Sequence, residues 1–328
     1  MRLLATFGFT SLALLAAEVR AQTPQAQIDA HLASARTAAG SEFRNTFLNL
    51  CLPAPPRPAV RPPGAPQTVP DRANWYAPPL QVFDNLYWLG TRQHSSWALK
   101  TSAGLIIIDT NFAWATEPEI IDGLVKLGLD PRDIKYVVIS HAHGDHDQGA
   151  AELQKRYGAK VVMGAPDWDA TVARPPTAAG GVPTRDISVG PEGYKLTLGD
   201  TTMDIVFTPG HSPGTLSYVF PVKDQGRPVM VAYSGGTLTG QFGTDGRRWD
   251  EYIASQRRIA RAAAEAGASV ILSNHSEYDG AYTRARLIAA PRQVGEAHPF
   301  ILGPAAVQNY FTVMTECAAA SKLRAGAR

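Results

Sequence analysis

Cysteine is almost absent from this chain. The 328 residues contain two, Cys51 and Cys317, near opposite ends and away from every histidine cluster. In an oxidising compartment the two would staple the N-terminal segment to the C-terminal one; otherwise they are two buried thiols. An excess of charge of either sign is also missing. The formal net charge is +2, which leaves no electrostatic case for a nucleic-acid partner. Beyond the N-terminus there is no apolar run long enough to cross a bilayer. No feature bears on oligomeric state.

The N-terminus itself reads as a secretory signal. Met1 to Ala21 has a basic start at Arg2, an apolar run from Leu3 to Ala17 and a small-residue end at Val19-Arg20-Ala21. Cleavage near Ala21 would deliver the chain to the periplasm or the medium. Residues 22–74 read as an extension. Gln25 to Leu50 is helix-like with a break at Gly40. Pro53 to Pro70 holds eight prolines and reads as an extended connector. A globular domain over residues 75–328 follows, within a composition that is 45% hydrophobic.

Along that domain the pattern repeats. Val82 to Leu89, Ser95 to Thr101 and Gly104 to Asp109 read as strands of a meander. Glu117 to Leu127 is an amphipathic helix, Ile134 to Ser140 a strand, Ala150 to Tyr157 a helix and Lys160 to Gly164 a strand. Pro175 to Gly193 is loop-rich. Strands then recur at Tyr194 to Leu198, Met203 to Thr208, Leu216 to Val222 and Val229 to Ser234. A helix over Asp250 to Ala266 and a strand over Ser269 to Ser273 follow, and Ala305 to Ala320 reads as a last helix. Two similar halves of this kind predict an α/β fold with two sheets face to face and helices outside.

The chemistry is concentrated in Ser140-His141-Ala142-His143-Gly144-Asp145-His146, directly after a buried strand. Strand C-termini are where α/β proteins place ligands. Imidazole with carboxylate suits zinc better than calcium or magnesium. One ion cannot use all four side chains at this spacing. In an extended loop His141 and His143 share one ion while Asp145 and His146 turn toward a neighbouring one. His211, in Thr208-Pro209-Gly210-His211, and His275, in Ser273-Asn274-His275, also follow strands, so five of eight histidines occupy strand-end loops. Of the others, His31 and His298 are expected at the surface. His94, in a turn before a strand, is a weaker candidate for the cleft wall. Asp147 reads as a helix N-cap. Phe112 and Trp114 are candidates for the site mouth. Ser212 and Ser276 adjoin histidines, but no free base is available to make either a nucleophile.

This combination resembles the metallo-β-lactamase superfamily. The match is His141-x-His143-x-Asp145-His146, then the Thr-Pro-Gly-His211 turn, then His275 after a late strand, with Leu105 to Ile108 ending in Asp109. The resemblance implies an αββα sandwich of two mixed β-sheets. It implies two Zn2+ ions per chain, one held by His141, His143 and His211, the other by Asp145, His146 and His275. Asp145 would also orient the attacking water, and Asp109 would support the ligand loop from behind. Many hydrolases of this kind, including lactonases and glyoxalase II-like thioesterases, carry a metal-bridging aspartate at the end of the strand corresponding to Val229–Thr237, and the first lactamase subclass has a cysteine there. Here that stretch contains neither. That is similar to the third lactamase subclass, which places serines just after the strand to bind substrate; the nearby hydroxyls here are Ser234, Thr237 and Thr239. The implied activity is opening of the β-lactam ring of an antibiotic, a small-molecule substrate. The alternative is a related dizinc hydrolase of lactones, thioesters or other esters. A zinc-binding protein without catalysis fits less well, since each three-ligand set leaves a position open.

Overall fold

The structure is a computed structural model that describes residues 23–53, 69–237, 242–291, 293 and 296–327. The expected signal, residues 1–21, and most of the proline-rich connector lie outside the described residues.

Two sheets form the centre. The first has seven strands in sequential order: β1 (Leu80–Phe83), β2 (Leu86–Trp88), β3 (Trp97–Thr101), β4 (Gly104–Ile108), β5 (Ile134–Val138), β6 (Lys160–Gly164) and β7 (Ile187–Val189). It is antiparallel from β1 to β4 and parallel from β4 to β7. The second contains β8 (Tyr194–Leu198), β9 (Thr201–Phe207), β10 (Leu216–Asp224), β11 (Arg227–Ser234) and β12 (Val270–Ser273), in the order β12-β11-β10-β9-β8. Only β11 and β12 run parallel there. Both sheets are mixed, as expected.

Strand side chains alternate between faces, and this alternation builds three cores. Ile106 and Ile108 of β4 point between the sheets with Leu216, Tyr218 and Phe220 of β10 and Tyr233 of β11. Leu105 and Ile107 point the other way, against Ile120, Leu124 and Leu153. Val219 and Ala232 face the helices Gly246–Glu265 and Pro304–Arg324. The layers are therefore helix, sheet, sheet, helix. A parallel strand covered on both faces has no polar side, which is why Leu105-Ile106-Ile107-Ile108 reads as a continuous apolar run.

The N-terminal extension is part of this body. Helices Pro24–Ala39 and Arg44–Cys51 pack on Pro304–Arg324, and Cys51 is disulfide-bonded to Cys317. Several local expectations need correction. Val82 to Leu89 is a hairpin rather than one strand, because Asp84 and Asn85 form a turn between β1 and β2. Asp84 also binds the backbone of Gln225 and Gly226 in the β10–β11 turn. The structure adds the helices Ala165–Val172, with Pro166 in its first turn, Ser276–Asp279 and Ala281–Ile288 to those expected. Strand β7 lies inside the expected loop 175–193. His298 is buried, with Nε2 2.8 Å from the Val82 carbonyl and its ring stacked on Phe83. Its sequence neighbours Ala297 and Pro299 carry no sign of that partner.

Candidate metal centre

The loop after β5 is pinned between the sheets before it reaches its first histidine. Ile139 N–H donates to the Val162 carbonyl, and the Ser140 carbonyl accepts from Leu216 N–H of β10. Asp109, just past β4, then grips the loop. Its Oδ1 accepts from Ser140 N–H at 2.7 Å and its Oδ2 from the Ser140 hydroxyl at 2.8 Å. The Tyr233 hydroxyl donates to the same Oδ2 at 2.8 Å from the opposite sheet. Asp109 adopts a positive φ of 57°, a conformation rare for side chains other than glycine. Such backbone strain persists only where surrounding contacts hold it.

The structure brings His141, His143 and His211 together. His211 Nε2 is 3.1 Å from His141 Nε2 and 3.2 Å from His143 Nδ1. His141 Nδ1 lies 2.9 Å from the Gly235 carbonyl. Donating its proton there leaves Nε2 with a lone pair facing the cluster, the way a ligating imidazole is normally held. Next to it, Asp145 Oδ2 is 3.3 Å from His146 Nε2 and 3.4 Å from His275 Nε2, while the two histidine nitrogens are 3.2 Å apart. Three nitrogen lone pairs, or a carboxylate and imidazoles, converging at this spacing match the edge of a zinc tetrahedron. Bonds of about 2.0–2.1 Å place neighbouring ligand atoms roughly 3.3 Å apart. The donor chemistry and the spacing both fit zinc. The rings of His141 and His146 are 4.4 Å apart between centroids, so the two clusters adjoin.

Burial shapes the protonation of this centre. It pushes His141 well below its ordinary value, lowers His143, and takes His94 down to about 3. Burial would raise Asp145, but His146 and His275 beside it hold the carboxyl well below the usual range. Burial works against charge on His146 as well, yet Asp145 and Asp109 raise it to about 10. Any ion taken up there displaces a proton.

Other side chains in the centre gave no sequence signal. Asp167, in the helix Ala165–Val172, is buried and bridges the two ligand loops. Its Oδ2 accepts from Ala142 N–H at 2.8 Å and the Ser212 hydroxyl at 2.6 Å, and its Oδ1 from Gly214 N–H at 2.8 Å. Asp147 is not a helix N-cap. It ends the short helix Gly144–Asp147, is buried, and pairs with Arg174 at 2.7 Å. Arg174 also donates to the Ala142 carbonyl. Two of the three expected substrate hydroxyls are buried. Ser234 is fully buried at the end of β11, opposite Ser273, and Thr237 is buried near Asn274. Ser234 is enclosed in the β11–β12 pair and Thr237 lies against Asn274. Thr239 lies outside the described residues.

Where a bridging carboxylate would be sought, backbone fills the space. A Cβ on Gly235 would fall 1.7 Å from the Leu216 carbonyl oxygen, and one on Gly236 would fall 2.6 Å from His211 Cβ. Among the described residues, this strand end supplies no acidic or thiol donor to the two clusters.

Sequence comparison matches residues 89–224 to the family model described as the metallo-beta-lactamase superfamily. The fold is similar to that of BJP-1, a subclass B3 metallo-beta-lactamase of Bradyrhizobium japonicum, with 31% identity, a TM-score of 0.61 and coverage of 73% of this chain and 91% of that one. The chain belongs to the metallo-beta-lactamase superfamily. Within this superfamily of metal-dependent hydrolases it is also similar to the N-acyl homoserine lactonase AttM of Agrobacterium fabrum, 33% identical over 119 residues, which are 34% of this chain and 44% of that protein. It is 27% identical over 124 residues to the hydroxyacylglutathione hydrolase of Acidiphilium cryptum, covering 34% of this chain and 44% of that enzyme. The chain thus spans less than half the length of these curated relatives. Among the described residues, no helix is long and apolar enough to cross a membrane.

Proposed function

We propose that this superfamily member is an exported dizinc hydrolase that opens the β-lactam ring of antibiotics. The observation that carries this reading is the bare backbone at Gly235 and Gly236 against His141 and His211. It leaves a three-histidine cluster and an Asp145, His146, His275 cluster with no shared carboxylate or thiol. That ligand pattern agrees with the overall likeness to a subclass B3 enzyme.

His141, His143 and His211 would hold one zinc and Asp145, His146 and His275 the other. Bound there, zinc supplies Lewis-acid polarisation of a carbonyl and a water of lowered pKa. The chain's own residues do the rest. Asp145, which faces His146 and His275, would accept a hydrogen bond from the attacking water and aim it. Asp109 and Asp167 hold the histidines so that no reorganisation is needed at the moment of attack. Phe112 stacks on Trp114 with ring centroids 5.2 Å apart, and Trp114 meets Trp75 edge-on at 4.7 Å. This aromatic wall beside His94 binds the apolar part of a bicyclic substrate and keeps bulk water out. The export signal in residues 1–21 would place the enzyme in the periplasm.

A second reading has its own support. The relatives matched over about a third of the chain carry the names of a lactonase and a thioester hydrolase. To decide, the chain beginning at Gln22 is loaded with zinc and offered a cephalosporin, a carbapenem, an acyl-homoserine lactone and a glutathione thioester, each with and without chelator. Fast, chelator-sensitive lactam opening is the expected result. Two bound zinc ions with lactone or thioester turnover and no lactam turnover would replace the first reading by the second.

A further inference from the structure

We infer that His94 is a fourth protein ligand of the second metal position, which makes that position a His94, Asp145, His146, His275 site. The inference rests on the dizinc reading and adds to it a donor that the three-residue set lacks.

The backbone brings His94 there. Residues 93–95 run antiparallel to residues 274–276 as an isolated bridge in which His94 and His275 stand directly opposite one another. Ser95 N–H donates to the Asn274 carbonyl at 2.9 Å, and Ser276 N–H donates to the Gln93 carbonyl at 2.8 Å. The Ser276 hydroxyl adds a bond to the Arg92 carbonyl at 2.6 Å. Directly opposed residues of an antiparallel pair project their side chains to the same face. The His94 ring therefore enters the space that the His275 ring enters, with centroids 5.0 Å apart.

The ring is aimed as a ligand would be. Its Nε2 lies 3.6 Å from Asp145 Oδ2, the oxygen that also faces His146 and His275. Donor atoms of His94, Asp145 and His275 all fall within 4.8 Å of one another. The other ring nitrogen, Nδ1, is 3.3 Å from the Thr91 hydroxyl, and Phe112 packs edge-on against the ring at 5.1 Å. The side chain is only 14% exposed, so few rotamers lead it away. A polar group on the second nitrogen and packing on the ring face are how proteins set the direction of a ligating imidazole.

Two unequal positions follow. The first cluster offers three nitrogens and leaves a fourth position open. The second offers four donors, the number of a closed zinc site: His94, Asp145 and His275 lie within 4.8 Å of one another, and His146 Nε2 stands 3.3 Å from Asp145 Oδ2 and 3.2 Å from His275 Nε2. The second position should then hold its ion more tightly than a three-donor site and exchange it more slowly, and a substrate reaches that ion only if a fifth position opens. Substrate engagement would fall mainly to the His141, His143, His211 position.

The test uses zinc and cobalt(II) as probes on the full chain, with His94→Ala and His94→Gln. Metal content is counted after dialysis against graded chelator, and the visible spectrum of the cobalt-loaded chain is recorded. Two ions in wild type, with one of them bound at least tenfold more weakly in both variants and an altered cobalt spectrum, is the expected result. The metal-free variants should melt with the metal-free wild type, while their gain in Tm on adding zinc is smaller, which a purely packing role for His94 would not produce. A crystal structure of the zinc-loaded wild type gives a reading independent of variant folding. A His94 Nε2–zinc distance of about 2.0–2.1 Å supports the assignment, and a distance beyond bonding range overturns it. Two ions held identically by wild type and variants overturn the role of His94 alone. Fewer than two in wild type overturn the dizinc reading together with it.

Discussion

Asp109 Oδ2 lies 3.2 Å from His146 Nδ1, and both side chains are wholly buried. The same carboxylate takes hydrogen bonds from Ser140 and Tyr233. One residue past β4 thus orients a candidate ligand, anchors the loop that carries four of them, and reaches across to the second sheet. Asp109→Asn keeps the shape but loses acceptor capacity at one oxygen. Loss of a group that orients a ligating histidine typically costs 10–100-fold in metal affinity. Competition with a chromophoric chelator should show a drop of about that size at the second position, with the first position less affected.

Asp167 couples the loops more directly. Asp167→Ala leaves Ala142 N–H and Gly214 N–H without their acceptor, and the Ser212 hydroxyl with Thr215 as its remaining partner. Each buried polar group left unpaired costs about 1–3 kcal/mol. The expected outcome is a large fall in Tm together with weaker binding at the first position, since His141, His143 and His211 lie on the loops released. Calorimetry and zinc titration check both. An unchanged zinc affinity would show that the ligand loops hold their geometry without Asp167.

The disulfide between Cys51 and Cys317 closes a span of 266 residues. On the chain-entropy model, a loop of this length stabilises by about 5 kcal/mol. The doubly substituted Cys51→Ser, Cys317→Ser chain should unfold at clearly lower urea, and reductant should move wild type toward it while leaving the variant where it is. The contact between helices 24–39 and 304–324 should be the first to open, as seen by amide exchange.

Glu119 is fully buried in the helical stretch after Trp114, and burial lifts its carboxyl from 4.5 to about 8. The folded chain therefore keeps it protonated at neutral pH, while the unfolded chain ionises it in the ordinary range. Above the unfolded value the unfolded state binds fewer protons, so stability declines as pH rises from about 4.5 and levels off beyond about 8. Glu119→Gln removes this contribution. The stability of wild type relative to the variant, measured by urea unfolding of zinc-loaded chains, should fall between pH 5 and pH 8. A difference that stays flat across that range would show that Glu119 is ionised in the fold.

Much of the fold could be read from local pattern. The helix Ala150–Tyr157 and the strand Lys160–Gly164 are legible to the residue, because helix and strand periodicities there are strong and the ends are marked by Gly149, Gly158 and Gly164. The hairpin at Asp84 and Asn85 is hidden in the sequence because apolar residues flank the turn on both sides and mimic one long strand. The Ala165–Val172 helix is short, and its sequence signal is proline in the first helical turn, a start signal.

The candidate centre divides in the same way. The sequence alone determined the donor types, the crowding of His141, His143, Asp145 and His146 into one strand-end loop, and the positions of His211 and His275 after later strands. Those features follow from short-range spacing, which a chain displays before it folds. Only the tertiary structure decided that His211 meets His141 and His143, that His94 stands opposite His275, that Asp167 ties the 142 and 212 loops, and that Cys51 meets Cys317. Each of these joins residues far apart along the chain. Their meeting depends on how two sheets and their covering helices bury apolar faces, and that interaction is non-directional and leaves no mark on the polar residues it brings together.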